Sequence, residues 1–447
     1  MKVLIIASNF LPMIPSGAAY IAGAVLKVGY QVDVFECFFA NNLLEELEEK
    51  IKSFNPDVIG ISIMLVTGDI YDKESEFYTK YFDSRPKIKN IIDCIKRTTK
   101  AHIILGGPGF NYYGQNWLKY LDLDYGIRGE GENSFPLYLK ELEKRGNIYK
   151  IPGSIFRINN DFKTIPRELI KNLDDTAFPA YELFNLDKFR EYKIPCAILT
   201  KRRCVFNCIF CPYSSLEGKK YRLKSPKRVI NEIEHVLDTK KVNLINFCDN
   251  SFNVPKRHSE DICREIIDNK ISISWTSGSI KPLGITDEYC ALLKKSGCKY
   301  VNLAIESASE IILKKMRRGY KVSDVENALE NFSNSSIPFG ISILIGNPGE
   351  TPNTISETFN IIEKYPLIND IWVSIGLYLW THHQELLDIA IKDGQHQDDA
   401  ELFNGEYYIS PELDKEFMKE FIESLSNREN LKFQVNIPYV GYKKKKM

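Results

Sequence analysis

The sequence predicts an α/β protein made of two parallel sheets in series, and three observations carry that reading. Strand-like and helix-like runs alternate up to about residue 140, a second alternation runs from Cys196 to about Tyr378, and a stretch punctuated by proline and glycine separates them. Short apolar runs alternating with amphipathic segments are how parallel strands joined by helices read in sequence. At 447 residues the chain is long enough for two or three cores.

In the first third, strands are expected over residues 3–7, 31–35, 58–63, 102–105 and 125–127, with helices over 18–28 and 42–54 between them. This pattern calls for a doubly wound parallel sheet with helices on both faces. Ligands of such sheets settle beyond the carboxyl ends of the strands. Glycines mark those ends: Ser16-Gly17, Gly106-Gly107 and Gly129-Glu130-Gly131. Glycine turns also occur with no ligand at all. Residues 141–190 read as a connector, punctuated by Pro152-Gly153, Pro166 and Pro179. Six strands are then expected over 197–199, 244–247, 271–275, 300–305, 340–345 and 371–375, followed by a mostly helical segment over 381–447.

Lys+Arg and Asp+Glu both total 59, so no global field draws the chain to nucleic acid or to an anionic membrane. The opening apolar run is too short for a signal peptide, and no run has the length of a membrane-spanning helix. Ten cysteines are an ordinary number for this length, and an odd local group of three points to a reducing compartment. A cytoplasmic enzyme is the expectation. The terminal KKKK reads as a solvated tail, and His382 and His383 read as a structural or solvent-facing pair with ligand or base roles as the alternative. No Walker-type phosphate loop or recognisable Ser-His-Asp arrangement occurs.

The strongest chemical signal is TKRRCVFNCIFCPYSS, where Cys204, Cys208 and Cys211 stand in C-x3-C-x2-C spacing. One loop of that length can wrap one face of an iron–sulfur cube. Three thiolates on three irons leave the fourth iron open to a small molecule. A structural zinc site requires four closed ligands, and no fourth Cys or His lies in register. A ferredoxin-type cluster would use a fourth cysteine, usually followed by proline, whereas here Pro212 follows the third.

With Phe210 before the last cysteine, this segment resembles the signature of the radical S-adenosylmethionine (radical SAM) superfamily. The resemblance implies a [4Fe-4S] cluster whose open iron chelates S-adenosylmethionine and whose electron cleaves it to a 5'-deoxyadenosyl radical. It also implies that the six later strands form a partial (β/α)6 barrel. Phe210 would pack near the adenine, and Asp249 and Asn250 in NFCDNSFN would meet the methionine amino group. Glu306 ends the fourth strand. Arg318 in KKMRRGY would meet the methionine carboxylate, and Ser342 and Gly346 in GISILIGNPGE would contact ribose and adenine. Taken singly, Asp249-Asn250 could be a capping turn and Arg317-Arg318 a solvated helix face. Arg203 stands before Cys204 where the class often has glycine.

The order PSGAAYIAGAVLKVGYQVDVFE, PDVIGIS, HIILGGPG, DYGIRGEGENSF further resembles the cobalamin-binding domain of one large radical SAM class. Cobalamin would then lie against Ser62, Met64, Gly106, Gly107, Gly129 and Glu130. The Asp-x-His-x-x-Gly of mutase-type domains is missing, since no histidine precedes His102. The resemblance implies a cobalamin-dependent methyltransferase acting on carbon or a phosphinate, with a small-molecule or peptide substrate and a flavodoxin or ferredoxin-type electron donor. The alternatives are a radical dehydratase, rearrangement or oxidative cyclisation enzyme with a vestigial first domain, and a non-catalytic metal-binding protein. A methylthiotransferase would need three more cluster cysteines in the first domain, where only Cys37 and Cys94 stand.

Overall fold

The computed structural model describes residues 1–10, 13–64, 67–71, 79–240, 242–380, 384–396, 402–426 and 433–436. His382, His383 and the terminal lysines lie outside the described residues. The chain forms two compact units, residues 1–66, 83–201 and 216–245, and residues 67–82, 202–215 and 246–447. Among the described residues no helix is long and apolar enough to cross a membrane.

The first unit is built on β1 (Lys2–Ser8), α1 (Ser16–Lys27), β2 (Gln31–Glu36), α2 (Leu43–Phe54), β3 (Val58–Ile63), α3 (Arg85–Thr98), β4 (His102–Gly106), α4 (Pro108–Leu121), β5 (Tyr125–Ile127) and α5 (Gly131–Glu143). Residues 3 to 8 of β1 are all buried, as in a central parallel strand covered on both faces. The sheet order is β2-β1-β3-β4-β5, all parallel. It continues antiparallel through β6 (Ser154–Ile158) and β7 (Asp161–Thr164). The supposed connector therefore adds a hairpin to the sheet edge, because Ile155 and Phe156 bury there against β5.

Strand order reverses around β1 and β3, and their carboxyl ends are where doubly wound sheets take ligands. Ser8 Oγ donates to the Ser62 carbonyl at 2.8 Å across that end. After β4 the chain must turn sharply at Gly107, whose φ is +91. A β-carbon there would stand 2.5 Å from the Ile63 carbonyl oxygen and 2.8 Å from its nitrogen. Pro108 then opens α4 with the φ a first helical residue needs. The first unit also holds β8 (Cys196–Ile198), α6 (Pro226–Lys240) and the start of β9 (Leu244–Phe247).

The second unit contains the end of β9, α7 (Lys256–Asp268), β10 (Ser274–Ile280), α8 (Asp287–Lys295), β11 (Cys298–Glu306), α9 (Glu310–Lys315), α10 (Val322–Asn334), β12 (Phe339–Ile345), α11 (Pro352–Ile362) and β13 (Asp370–Ile375). Beyond them come α12 (Gln384–Lys392), α13 (Lys415–Ser426) and β14 (Phe433–Asn436). Strands β10, β11, β12, β13 and β14 pair in that order, all parallel. Ser277 Oγ of β10 donates to the Phe247 carbonyl of β9 at 3.2 Å.

Period-two alternation gives this sheet its two faces. Val301, Leu303, Ile305, Ile341, Ile343, Ile345, Ile371 and Val373 are buried, while Asn302, Ser342, Trp372 and Ser374 between them are half-buried.

The α/β class and the two successive parallel sheets are as expected. Two details differ. The strand expected over 271–275 lies at Ser274–Ile280, because its pairing with β11 selects the small, polar run SWTSGSI over the apolar alternation ahead of it. Among the described residues after 381, a strand, β14, also joins the helices and extends the sheet beside β13.

Candidate functional site

The cysteine loop lies in the second unit together with the carboxyl ends of its strands. Cys208 is buried at 3 % exposure, and Cys204 and Cys211 are half-buried. Arg203, just before the first of them, has a φ of +87, so the position where glycine was expected does adopt a glycine-like backbone. The Cys211 amide donates to the Cys208 carbonyl at 3.2 Å, closing the turn between the last two cysteines.

Arg318 organises this site. Its Nε donates to Tyr320 Oη at 2.9 Å and its Nη1 to Cys208 Sγ at 3.1 Å. Its Nη2 donates to the Ala304 carbonyl at 3.1 Å and to Glu306 Oε1 at 3.2 Å. The guanidinium also stands 5.5 Å from the centre of the Phe210 ring. Four of its five N–H donors are thus directed to protein atoms. At 3 % exposure this is no solvated helix face. Burial disfavours its charge, but Tyr320, Glu306 and Cys208 outweigh that and hold its pKa above the ordinary value.

The RRGY turn is shaped to present this side chain. Arg317 takes a φ of +57 at the end of α9, and Gly319 follows with +71. A β-carbon on Gly319 would stand 2.8 Å from the Phe206 ring, so only glycine lets the cysteine loop pack there. Tyr320 Oη then lies 2.9 Å from both the Ala304 and Ile305 carbonyls, pinning the turn to the end of β11.

The other expected residues sit at the ends of successive strands of the same unit. Asp249 follows β9 at 3 % exposure, and the Asn250 carbonyl accepts from Ser279 Oγ at 2.7 Å. Glu306 ends β11 with a φ of +58 and its side chain 12 % exposed. Ser342 lies within β12 and its Oγ accepts from Asn302 Nδ2 at 2.6 Å. Gly346 has a φ of +101, and its amide donates to Glu350 Oε2 at 2.6 Å. Glu350 accepts from the Asn347 amide as well, and burial pushes its carboxyl up to about 7.

Lys281 escaped the sequence reading. It directly follows β10 and is 6 % exposed. Its ammonium interacts electrostatically with Arg318, Glu306, Cys204 and Cys208, and it also acts on Cys211. Burial, then Arg318, pushes its pKa down. Burial likewise pushes the Cys208 thiol up and Cys211 up to about 11, with Arg318 and Lys281 opposing the first and Lys281 the second. Among the described residues no three His, Cys, Asp or Glu side chains are arranged to hold a single metal ion.

The residues expected to hold cobalamin belong to the first unit. Ser62 and Met64 lie at the carboxyl end of β3, Gly106 ends β4, and Gly107 packs against Ile63. The Gly129 amide donates to Asn111 Oδ1 at 2.7 Å. Glu130 is engaged on both oxygens: Arg222 donates to them at 2.6 and 2.7 Å, and the Ile170 amide donates at 2.6 Å.

Comparison with known proteins addresses the domains and the fold. The family model of the radical SAM superfamily matches residues 198–362, and that of the B12 binding domain matches residues 2–139. An uncharacterised methyltransferase of Pyrococcus horikoshii is 29 % identical over 354 residues, 78 % of this chain and 73 % of that protein. The anaerobic magnesium-protoporphyrin IX monomethyl ester cyclase of Synechocystis is 26 % identical over 322 residues, 70 % of this chain and 61 % of that protein. The fold matches that of the radical S-adenosylmethionine methyltransferase TsrM from Kitasatospora setae, solved with cobalamin and a [4Fe-4S] cluster. The TM-score is 0.81 at 19 % identity, covering 98 % of this chain and 93 % of the other. The chain therefore carries a B12 binding domain over residues 2–139 ahead of a radical SAM domain over residues 198–362.

Proposed function

We propose that this enzyme is a cobalamin-dependent methyltransferase that holds its [4Fe-4S] cluster on Cys204, Cys208 and Cys211. The observation that carries the site is the Arg318 guanidinium, which donates to Cys208 Sγ while bonded to the carboxyl end of β11. A guanidinium stabilises a thiolate far more than a thiol, so Arg318 works against the burial that raises the Cys208 thiol. The donor set fits a cluster: three sulfurs on one loop, with Arg318 and Lys281 to offset the thiolate charge.

When bound, the reduced cluster supplies the electron that cleaves S-adenosylmethionine, and cobalamin supplies the methyl carrier. The chain's own residues bind and orient. Asp249 and Asn250 receive the methionine amino group, Phe210 packs near the adenine, and Ser342 and Gly346 line the nucleoside side. Arg318 has one N–H left for the methionine carboxylate, with Glu306 holding the guanidinium in place. In the first unit, Ser62, Met64, Gly106 and Gly107 offer the sheet edge to cobalamin. Gly129 and Glu130 lie after β5 in the same unit, where the Gly129 amide bonds Asn111 and Arg222 holds Glu130, and they complete that set. The substrate is a small molecule methylated at carbon or a phosphinate, and a flavodoxin or ferredoxin-type protein delivers the electron.

The test is oxygen-free reconstitution with iron, sulfide and cobalamin, then incubation with S-adenosylmethionine and a reductant. Cobalamin uptake and the release of both 5'-deoxyadenosine and S-adenosylhomocysteine on substrate addition are expected. The similarity to the Synechocystis cyclase favours oxidative cyclisation as the second reading. Release of 5'-deoxyadenosine without S-adenosylhomocysteine would select it.

A further inference from the structure

The site holds two buried cations, and only one is committed to the protein. Arg318 spends its donors on Tyr320, Cys208, Ala304 and Glu306. Lys281 is held at its backbone instead. Its amide donates to Asn253 Oδ1 at 2.8 Å, and Asn253 Nδ2 donates to the carbonyls of Lys281 at 2.8 Å and Leu283 at 2.9 Å. Asn253 is itself 1 % exposed, so this clamp fixes where the lysine stem departs from the end of β10. No hydrogen bond or ion pair to the Lys281 ammonium is found among the described residues, and the pairing of Ile280 with Leu303 sets residue 281 at the strand end next to β11, whose Ala304 carbonyl accepts from the same guanidinium that donates to Cys208.

A buried ammonium without a carboxylate costs several kcal/mol unless another anion offsets it. Among the described residues Glu306 is an acid that acts on Lys281, and it already bonds Arg318. As cluster ligands the cysteine sulfurs would be the further anions. We propose that Lys281 is a positioning residue of the cluster: a resident countercharge that makes its one-electron reduction easier. The inference rests on the cluster reading above. A cluster with three thiolate ligands gains one negative charge on reduction, so a fixed nearby cation stabilises the reduced form more than the oxidised form.

The experiment is a redox titration of the full-length reconstituted protein without S-adenosylmethionine, followed by electron paramagnetic resonance. Lys281→Met keeps the stem and removes the charge, and Lys281→Arg keeps the charge. With iron and sulfide contents retained, Lys281→Met is expected to lower the ratio of reduced to oxidised cluster about tenfold at a fixed potential. For a one-electron couple that is a midpoint about 59 mV more negative. Lys281→Arg is expected to restore most of it. If Lys281→Met loads no iron while Lys281→Arg loads fully, charge alone separates them and the proposal stands.

An unmoved midpoint in a fully loaded Lys281→Met overturns it. So does an equal shift in Lys281→Arg, or failure of both variants to load. Weakened S-adenosylmethionine binding at an unmoved midpoint would give the ammonium to the ligand's carboxylate, and also overturns it. Wild-type protein that loads no cluster refutes the cluster reading first, and the lysine's role with it.

Discussion

Each unit buries an ionic cluster, and the two are built differently. In the first, Lys224 Nζ donates to Glu232 Oε2 at 2.7 Å and to Tyr20 Oη at 3.0 Å, while Tyr20 donates to the other Glu232 oxygen. Glu232 is wholly buried and Lys224 nearly so, and Arg228 stands 3.7 Å away. Acid and base there are joined directly, which is how a buried pair offsets its desolvation. In the second, Glu306 faces two cations, Arg318 and Lys281, with three cysteines making up the rest. A closed network ties α1 to α6. Both hold one acid and two cations, so what sets the second apart is its three cysteines and a lysine ammonium with no hydrogen bond among the described residues, an arrangement suited to thiolates and anionic ligands.

The sharpest break comes from the sulfurs. Replacing Cys204, Cys208 and Cys211 together by alanine should take iron from about four per chain to background. The first-unit network should be untouched, so the far-ultraviolet circular dichroism spectrum of the apo protein should be retained. A variant that still binds a cluster would end the reading of the second network as functional.

Next in size is Glu232→Ala, which strands the Lys224 ammonium beside a single hydroxyl. Loss of one partner of a buried pair costs about 3–5 kcal/mol, read from urea denaturation at pH 7. Cluster content of the folded fraction should not change. A cost under about 1 kcal/mol would mean the network is not structural.

Two substitutions then divide the second network. Asp249→Ala should leave iron content intact and weaken S-adenosylmethionine binding about tenfold or more in calorimetry, the scale of one charge-assisted hydrogen bond. Arg318→Ala should reduce iron content as well, because it removes the donor to Cys208 and leaves Glu306 without its partner. Equal behaviour of the two would erase the distinction between ligand-facing and sulfur-facing charge.

The smallest effect concerns Glu350 under the Gly346 turn. Burial pushes its folded carboxyl up to about 7 from the ordinary value of 4.5, so the folded state binds more protons between those values. Its contribution to stability is complete below about pH 4.5 and is lost as pH rises toward and through 7. Glu350→Gln should flatten that part of the profile of melting temperature against pH. An identical profile would show that the hydrogen bonds from Gly346 and Asn347 hold the carboxylate ionised.

Much of the site was legible from local pattern. Cys204, Cys208 and Cys211 fall within one loop, and Asp249, Glu306 and Gly346 follow strand-like runs. Lys281 was not. It follows a strand that reads three to five residues too early in sequence, at 271–275 instead of Ser274–Ile280, so residue 281 falls within no expected strand end. Gly107 shows the same divide: its turn was visible, but the Ile63 backbone that forbids a side chain is over forty residues away.

By itself, the sequence determined the α/β class, the two successive parallel sheets and the cysteine loop. These rest on spacing along the chain, on covalent reach and on the period of apolar residues. Only the tertiary structure decided that Arg318 serves a sulfur and a strand end together, that Glu130 is held by Arg222, and that Lys281 is buried at the end of β10 in the same unit as the cysteine loop. Pairing between distant strands and the cost of burying unmatched charge set those contacts, and neither is a property of any short stretch of residues.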